Sequence, residues 1–172
     1  IFEDSAAGLP ACRRRVAGLS LLDRGVRTMV RAGIERLFVI VPEAASTALP
    51  GLTRRLPAQV RFLRWSDLSG LELPADEHVL VLFGQYVHHH SSLAAFQAAG
   101  DRAEDVVAMA LPAAGAAPGD WRVALAGGTV ALGAEPDGQA PVFAGAFACR
   151  GRVLDRQRLA AAATDLRALL DT

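Results

Sequence analysis

The chain has 172 residues, enough for one domain with a substantial buried core. Its 18 basic residues, every one an Arg, balance 18 acidic ones, so no overall field attracts nucleic acid or an anionic membrane. Cys12 and Cys149 have neither disulfide nor metal-site spacing, no signal-peptide pattern opens the chain, and no apolar run is long enough to cross a bilayer, which points to a soluble protein of a reducing compartment, the cytoplasm.

The first residue is Ile1 rather than Met, and the sequence begins as if inside an element. A fragment of a longer protein is therefore expected, forming a single domain over 1–172. "GLSLLDRGVRTMVRAGI" places Leu22, Val26, Met29 and Val30 at helical spacing, with Ser20 and Asp23 as a capping box and Gly33 as a stop. "ERLFVIVPE" follows with a continuous apolar run, Leu37 to Val41, closed by Pro42, the pattern of a strand buried on both faces. Pro50, Gly51 and Pro57 leave room for no more than a short helix over 43–57. "QVRFLRW" alternates as a strand, and "HVLVLFGQYVHHH" gives another buried strand, 79–83, ending at Gly84.

"SSLAAFQAAG" reads as a helix capped by Ser91 or Ser92 and stopped at Gly100, and "EDVVAMAL" as the next strand. The pattern then changes. "WRVALAGGTVALG" is two short strands about Ala126, Gly127 and Gly128, a hairpin over 122–132; "PVFAGAFACR" adds a strand and 153–170 a terminal helix. Alternation of helices and buried strands, with a late hairpin, predicts an α/β fold: a three-layer α/β/α sandwich with a mainly parallel mixed sheet. No internal repeat divides it.

Ligands of open α/β sheets collect beyond the carboxyl ends of the strands. Gln85 stands there after the strand 79–83, and a neutral amide is a weaker ligand for a hard cation than a carboxylate. His88, His89 and His90 do not make a metal site, since consecutive residues cannot converge on one ion and no carboxylate or Cys accompanies them; they read as exposed loop residues. No GxSxG or GxGxxG occurs.

Taken in order, several segments resemble nucleotidyltransferases with a glycosyltransferase-A-like fold, above all the inositol-phosphate cytidylyltransferase domains associated with CDP-alcohol phosphatidyltransferases. "RRVAGLSLLDRGVRTMVRAGIERLFVIVPE" is similar to "vaGkPLLerairtLraaGieeivVv", "HVLVLFGQYVHHHSSLAAF" to "fllvmgDhvfdpsll", "WRVALAGGTVALG" to "tkVrvdgGrVvaiG" and "PVFAGAFAC" to "davDtGiFlc". Order and spacing together carry the resemblance over nearly the whole chain. It implies a nucleotide-diphospho-sugar-transferase-like fold and a reaction of NTP, most readily CTP, with inositol phosphate or a sugar phosphate. It also implies Mg²⁺ as cofactor. A membrane phosphatidyltransferase, fused or associated, is the implied partner; that enzyme's DGxxAR signature is not in these residues.

The same resemblance shows where the chain departs. The family's AAGxGxR loop wraps the triphosphate with backbone N–H groups and a basic side chain. Ala6, Ala7 and Gly8 match its opening and Arg13 its basic residue, one place late; Pro10 takes the second Gly's place, removing a donor and fixing φ. An ordinary surface loop with a solvated Arg13–Arg15 triplet is an equally good reading. Leu19 replaces the family's Lys, Gln85 the Asp of "mgD" and Phe143 the Asp of "vDtG". Nucleotidyl transfer depends on a cation clamp more than on covalent chemistry from the protein. Losing the Lys and both carboxylates therefore favours a weakly active or inactive domain. The alternative is a non-catalytic structural or regulatory domain of a phospholipid head-group enzyme.

Overall fold

A computed structural model of the chain describes residues 11–41, 60–84, 86–102, 106–112, 114, 122–126, 129–133 and 140–162. The chain divides into two compact units, Ile1–Leu68 with Leu82–Ala95 and Ser69–Val81 with Phe96–Thr172.

In the first unit, β1 (Arg15–Val16) and β2 (Leu19–Ser20) pair antiparallel, Arg15 with Ser20 and Val16 with Leu19. Ala17 (φ 48°) and Gly18 (φ 81°) form the turn. Two left-handed residues in succession give the twist that a two-residue hairpin requires, and Ala17 adopts it at a cost of roughly 1 kcal/mol. Helix α1 (Leu21–Arg31) follows at once. Its cap is Ser20, whose hydroxyl oxygen accepts the Asp23 N–H at 3.0 Å and donates to the Asp23 carboxylate at 2.7 Å. Gly33, at φ 91°, ends it as expected. The buried stripe is Leu22, Val26 and Met29 with Leu21; Val30, expected on that face, is 40% exposed because it lies one residue past the stripe.

Strand β3 (Leu37–Val41) pairs parallel with β4 (Val60–Arg64). Register sets Phe38 beside Arg61, whose guanidinium carbon lies 5.8 Å from the ring centroid. Val39 and Val41 pack with Cys12, Leu21, Leu22 and Val26, and Val60 and Phe62 close the cluster. Helix α2 (His90–Gly100) begins one residue before the serines expected to cap it. Gly100 is its last residue, and there a Cβ would come within 2.8 Å of the Ala148 Cβ, so close packing as well as termination favours glycine.

The second unit is built on one five-stranded sheet of β5 (His78–Leu82), β6 (Val106–Leu111), β7 (Arg122–Ala126), β8 (Thr129–Gly133) and β9 (Val142–Arg150). The order is β5–β9–β7–β8, with β6 also paired to β9. The α/β class and the late hairpin are those expected. The pairing is mixed: parallel between β3 and β4, antiparallel for β6–β9, β7–β8 and β7–β9. The hairpin β7–β8 joins β9 at Arg122 and Val142. Strand β9 is buried from Phe143 through Cys149, the continuous apolar run of a strand covered on both faces.

Beyond β9 the chain is strapped to residues 74–77. Gly151 N–H donates to the Glu77 carbonyl at 2.8 Å, Arg152 N–H to Ala75 at 2.9 Å and the Arg150 guanidinium to Asp76 at 2.8 Å. At Gly151 a Cβ would lie 2.1 Å from the Pro74 carbonyl oxygen. The last described helix, α3 (Arg156–Ala162), starts three residues later than the Val153 expected, because Gly151–Val153 is a 3-10 turn and the Asp155 carboxylate caps the helix, accepting the Arg158 N–H at 2.8 Å. The short helix expected within 43–57, and the terminal helix beyond 162, lie outside the described residues.

Candidate functional site

The expected nucleotide loop ends in the first unit. Ala6, Ala7, Gly8 and Pro10 lie outside the described residues. Arg13 closes a 3-10 turn, Ala11–Arg13, with its side chain exposed, whereas Cys12 beside it is fully buried in the core cluster. The end of the loop is thus anchored by a thiol and presents a guanidinium outward. Arg14 and Arg15 are exposed as well, and the Arg14 carbonyl accepts the Leu21 N–H at 2.8 Å, fixing the triplet to the start of α1. Leu19 is half-buried in β2, so the place where the resemblance puts a Lys holds no charge. Arg24, which nothing in the sequence singled out, reaches from α1 to the Val16 carbonyl at 2.7 Å, and its Nε is buried without a partner. Arg13, Arg14 and Arg15 are exposed cations, and none of these residues is a general acid, a general base or a metal ligand.

The connection after β5 also belongs to this unit. Gln85 lies outside the described residues. The three histidines, expected to be exposed loop residues, differ among themselves: His89 is exposed, while His88 and His90 are half-buried, because the chain turns into α2 directly at His90. The His88 Nε2 is buried without a hydrogen-bond partner, and burial pushes its pKa below 6.5. Its ring stacks on Tyr86 with centroids 6.4 Å apart. Among the described residues, no group of three His, Cys, Asp or Glu side chains is placed to hold a metal ion.

Phe143 lies in the second unit, near the start of β9, and is 1% exposed. Two residues on, Gly145 has φ 78°, a left-handed conformation in mid-strand that side chains disfavour. Opposite it the β6–β9 register shifts between Ala108 and Ala110, a bulge. The glycine of the "vDtG" likeness falls where the backbone requires a glycine. The Phe143 ring supplies no ligand atom, so this position does not fit Mg²⁺. Farther along β9, burial pushes the Cys149 thiol up to about 12, against a weaker opposing effect of the Arg158 charge. Cys149 is an inert core residue.

The sequence matches no family model and no curated protein. Its fold is that of the nucleotidyltransferase type, mixed α/β with the late hairpin. Among solved structures it is similar to the inositol-1-phosphate CTP transferase from T. maritima, at 15% identity and TM-score 0.68, over 87% of this chain. HddC from Yersinia pseudotuberculosis is similar at 10% identity and TM-score 0.63, over 87% of this chain and 71% of that one. The same protein complexed with GMP-PN gives TM-score 0.60 at 10% identity, over 88% of this chain and 72% of that one. The chain spans 65% of the length of the T. maritima protein. Among the described residues no helix is long and apolar enough to cross a membrane.

Proposed function

We propose that the chain is a nucleotidyltransferase-like domain that binds a nucleotide, CTP in the first instance, at the loop of Ala6, Ala7, Gly8 and Arg13, and that transfers it to inositol phosphate or a sugar phosphate weakly or not at all. The observation that carries this reading is Phe143: a fully buried ring stands where the family resemblance places a metal carboxylate, two residues before a glycine held at positive φ. The fold similarity supports nucleotide binding, and one of the similar proteins is complexed with GMP-PN. Exposed Arg13 supports an anionic ligand. With Leu19 and Phe143 where the resemblance puts a Lys and an Asp, the charges those two would bring to a leaving pyrophosphate are missing, and no reaction step is assigned to Mg²⁺.

The same observation favours a second reading, a regulatory or structural domain serving a phospholipid head-group enzyme in the cytoplasm or, through an attached phosphatidyltransferase, at the membrane. Titration calorimetry with CTP, with and without Mg²⁺, separates the two: binding that is nearly independent of Mg²⁺ is expected on the first, no binding on the second. Pyrophosphate release from CTP and inositol phosphate well above a blank, abolished by changing Gly8, would overturn both.

A further inference from the structure

The neutral total charge conceals a division. The first unit carries eleven Arg against six Asp and Glu, a net charge of +5, and the second seven Arg against twelve Asp and Glu, a net charge of −5. In the first unit part of the excess is gathered on α1. At about 100° per residue, Arg24, Arg27 and Arg31 fall within about 60° of one another, opposite the buried Leu22, Val26 and Met29. Arg27 and Arg31 are exposed, and Arg24 is held by its bond to the Val16 carbonyl. The carboxylates nearest in sequence do not neutralise them: Asp23, four residues before Arg27, accepts the Ser20 hydroxyl, and Glu35, four residues after Arg31, lies beyond the end of the helix. Among the described residues no carboxylate pairs with any of the three. Like charges one turn apart on a helix repel, a cost that an outside anion relieves.

We propose that this stripe docks the acidic second unit of another copy of the chain, in a salt-sensitive self-association. Charge complementarity selects the occupant. The chain itself supplies a body of charge equal and opposite to that of the unit bearing the stripe, and at a total charge of zero no overall repulsion keeps copies apart. On the acidic side, the described segment richest in exposed carboxylates is 72–77, with Glu72, Asp76 and Glu77. Of the two Arg beside it, Arg150 bonds the Asp76 carbonyl through its guanidinium and Arg152 the Ala75 carbonyl through its backbone N–H. Among the described residues no cation pairs with the Glu72 or Asp76 carboxylate. Docking of this kind is independent of nucleotide binding. It is felt at about 10 mM salt, where charges act over about 30 Å, and lost at about 1 M, where they act over about 3 Å.

The test is sedimentation equilibrium on the full chain at pH 7 across a concentration series. At about 10 mM salt the weight-average mass should climb above 18.1 kDa with concentration, and at about 1 M it should keep that value. Arg27→Gln with Arg31→Gln should weaken the low-salt association roughly five-fold or more. Arg102→Gln with Arg156→Gln, the same change in net charge at two exposed Arg of the second unit, should leave it within about two-fold. Should the α1 variant fail to fold, Glu72→Gln with Asp76→Asn must produce the same loss. Equal losses in the two Arg pairs, or association as strong at 1 M salt, would overturn the proposal. A chain that stays at 18.1 kDa at low salt overturns it as well; Arg27-dependent binding of poly-glutamate or of phosphatidylglycerol vesicles by that monomer would then assign the stripe to an acidic protein or to a membrane.

Discussion

The end of the expected nucleotide loop in the first unit and strand β9 in the second hold Leu19 and Phe143, the two apolar residues set against the family resemblance, in opposite physical surroundings. Around Arg13 the chain is at the surface: the guanidiniums are exposed, and Leu19 is half-buried outside the core cluster. On β9 the side chain goes inward. Phe143 is among the largest fully buried side chains, and the strand stays buried from it through Cys149. A charge placed at the surface position is tolerated, because solvent accepts either residue. A carboxylate placed in the core is not, because it must first undo packing.

The strongest way to break this contrast is Phe143→Asp. Removing a buried aromatic ring costs about 3–5 kcal/mol, and a carboxylate without a partner in its place adds to that. Urea denaturation should show a loss of about 4 kcal/mol or more, a large fraction of a domain's whole stability; a variant within about 1 kcal/mol of the parent would mean that position 143 is not core. Next in size, Gly151→Ala should cost about 2 kcal/mol, since its methyl meets a backbone carbonyl that cannot swing aside as a side chain does. An unchanged midpoint would dissolve the strap between residues 74–77 and 150–152.

Smaller effects belong to the first unit. Because burial lowers the pKa of His88 in the folded chain, the unfolded chain binds the proton more readily below pH 6.5. Its contribution to stability is complete above that pH and is lost as pH falls toward the lowered folded value. Thermal unfolding across pH 8 to 5 should show the loss in the parent and a flatter profile in His88→Gln; identical profiles would remove His88 from the account. Smallest of all, Arg13→Ala should leave stability within about 0.5 kcal/mol and weaken CTP binding by up to about five-fold. A large stability change there would erase the surface-versus-core distinction.

What the sequence disclosed was local. Helix α1 was legible because Ser20, Asp23, the Leu22–Val26–Met29 stripe and Gly33 all point the same way, and the β7–β8 hairpin because Gly127 and Gly128 separate two apolar runs. The starts of α2 and α3 were missed for separate reasons: α2 begins at His90, ahead of the serines that pattern reading takes as caps, and α3 is capped by Asp155 behind a 3-10 turn. Pairings between distant segments were not legible at all, so nothing in "PVFAGAFACR" announced a strand with β5, β6 and β7 all as neighbours. Of the candidate site, the apolar character of Leu19 and Phe143 was readable. The depth of Phe143 needed the structure, while Gln85 and the loop at Ala6, Ala7 and Gly8 lie outside the described residues.

The strap from residues 150–152 to 74–77 also sets an order of events during synthesis. The second unit takes its β5 from a segment made early and its β9 from one that starts 64 residues later. While the ribosome is still short of residue 142, β5, β6 and the hairpin have been made but the strand that pairs with all three has not. Closing so long a loop is a modest entropic cost, growing only logarithmically with length, yet it must be met before any of those pairings is gained. Until β9 emerges, the nascent chain carries unpaired strand edges, the feature that chaperones and aggregation both recognise. Chains stalled near residue 140 should accordingly be far more protease-sensitive than chains released beyond residue 152, with no steady increase between them.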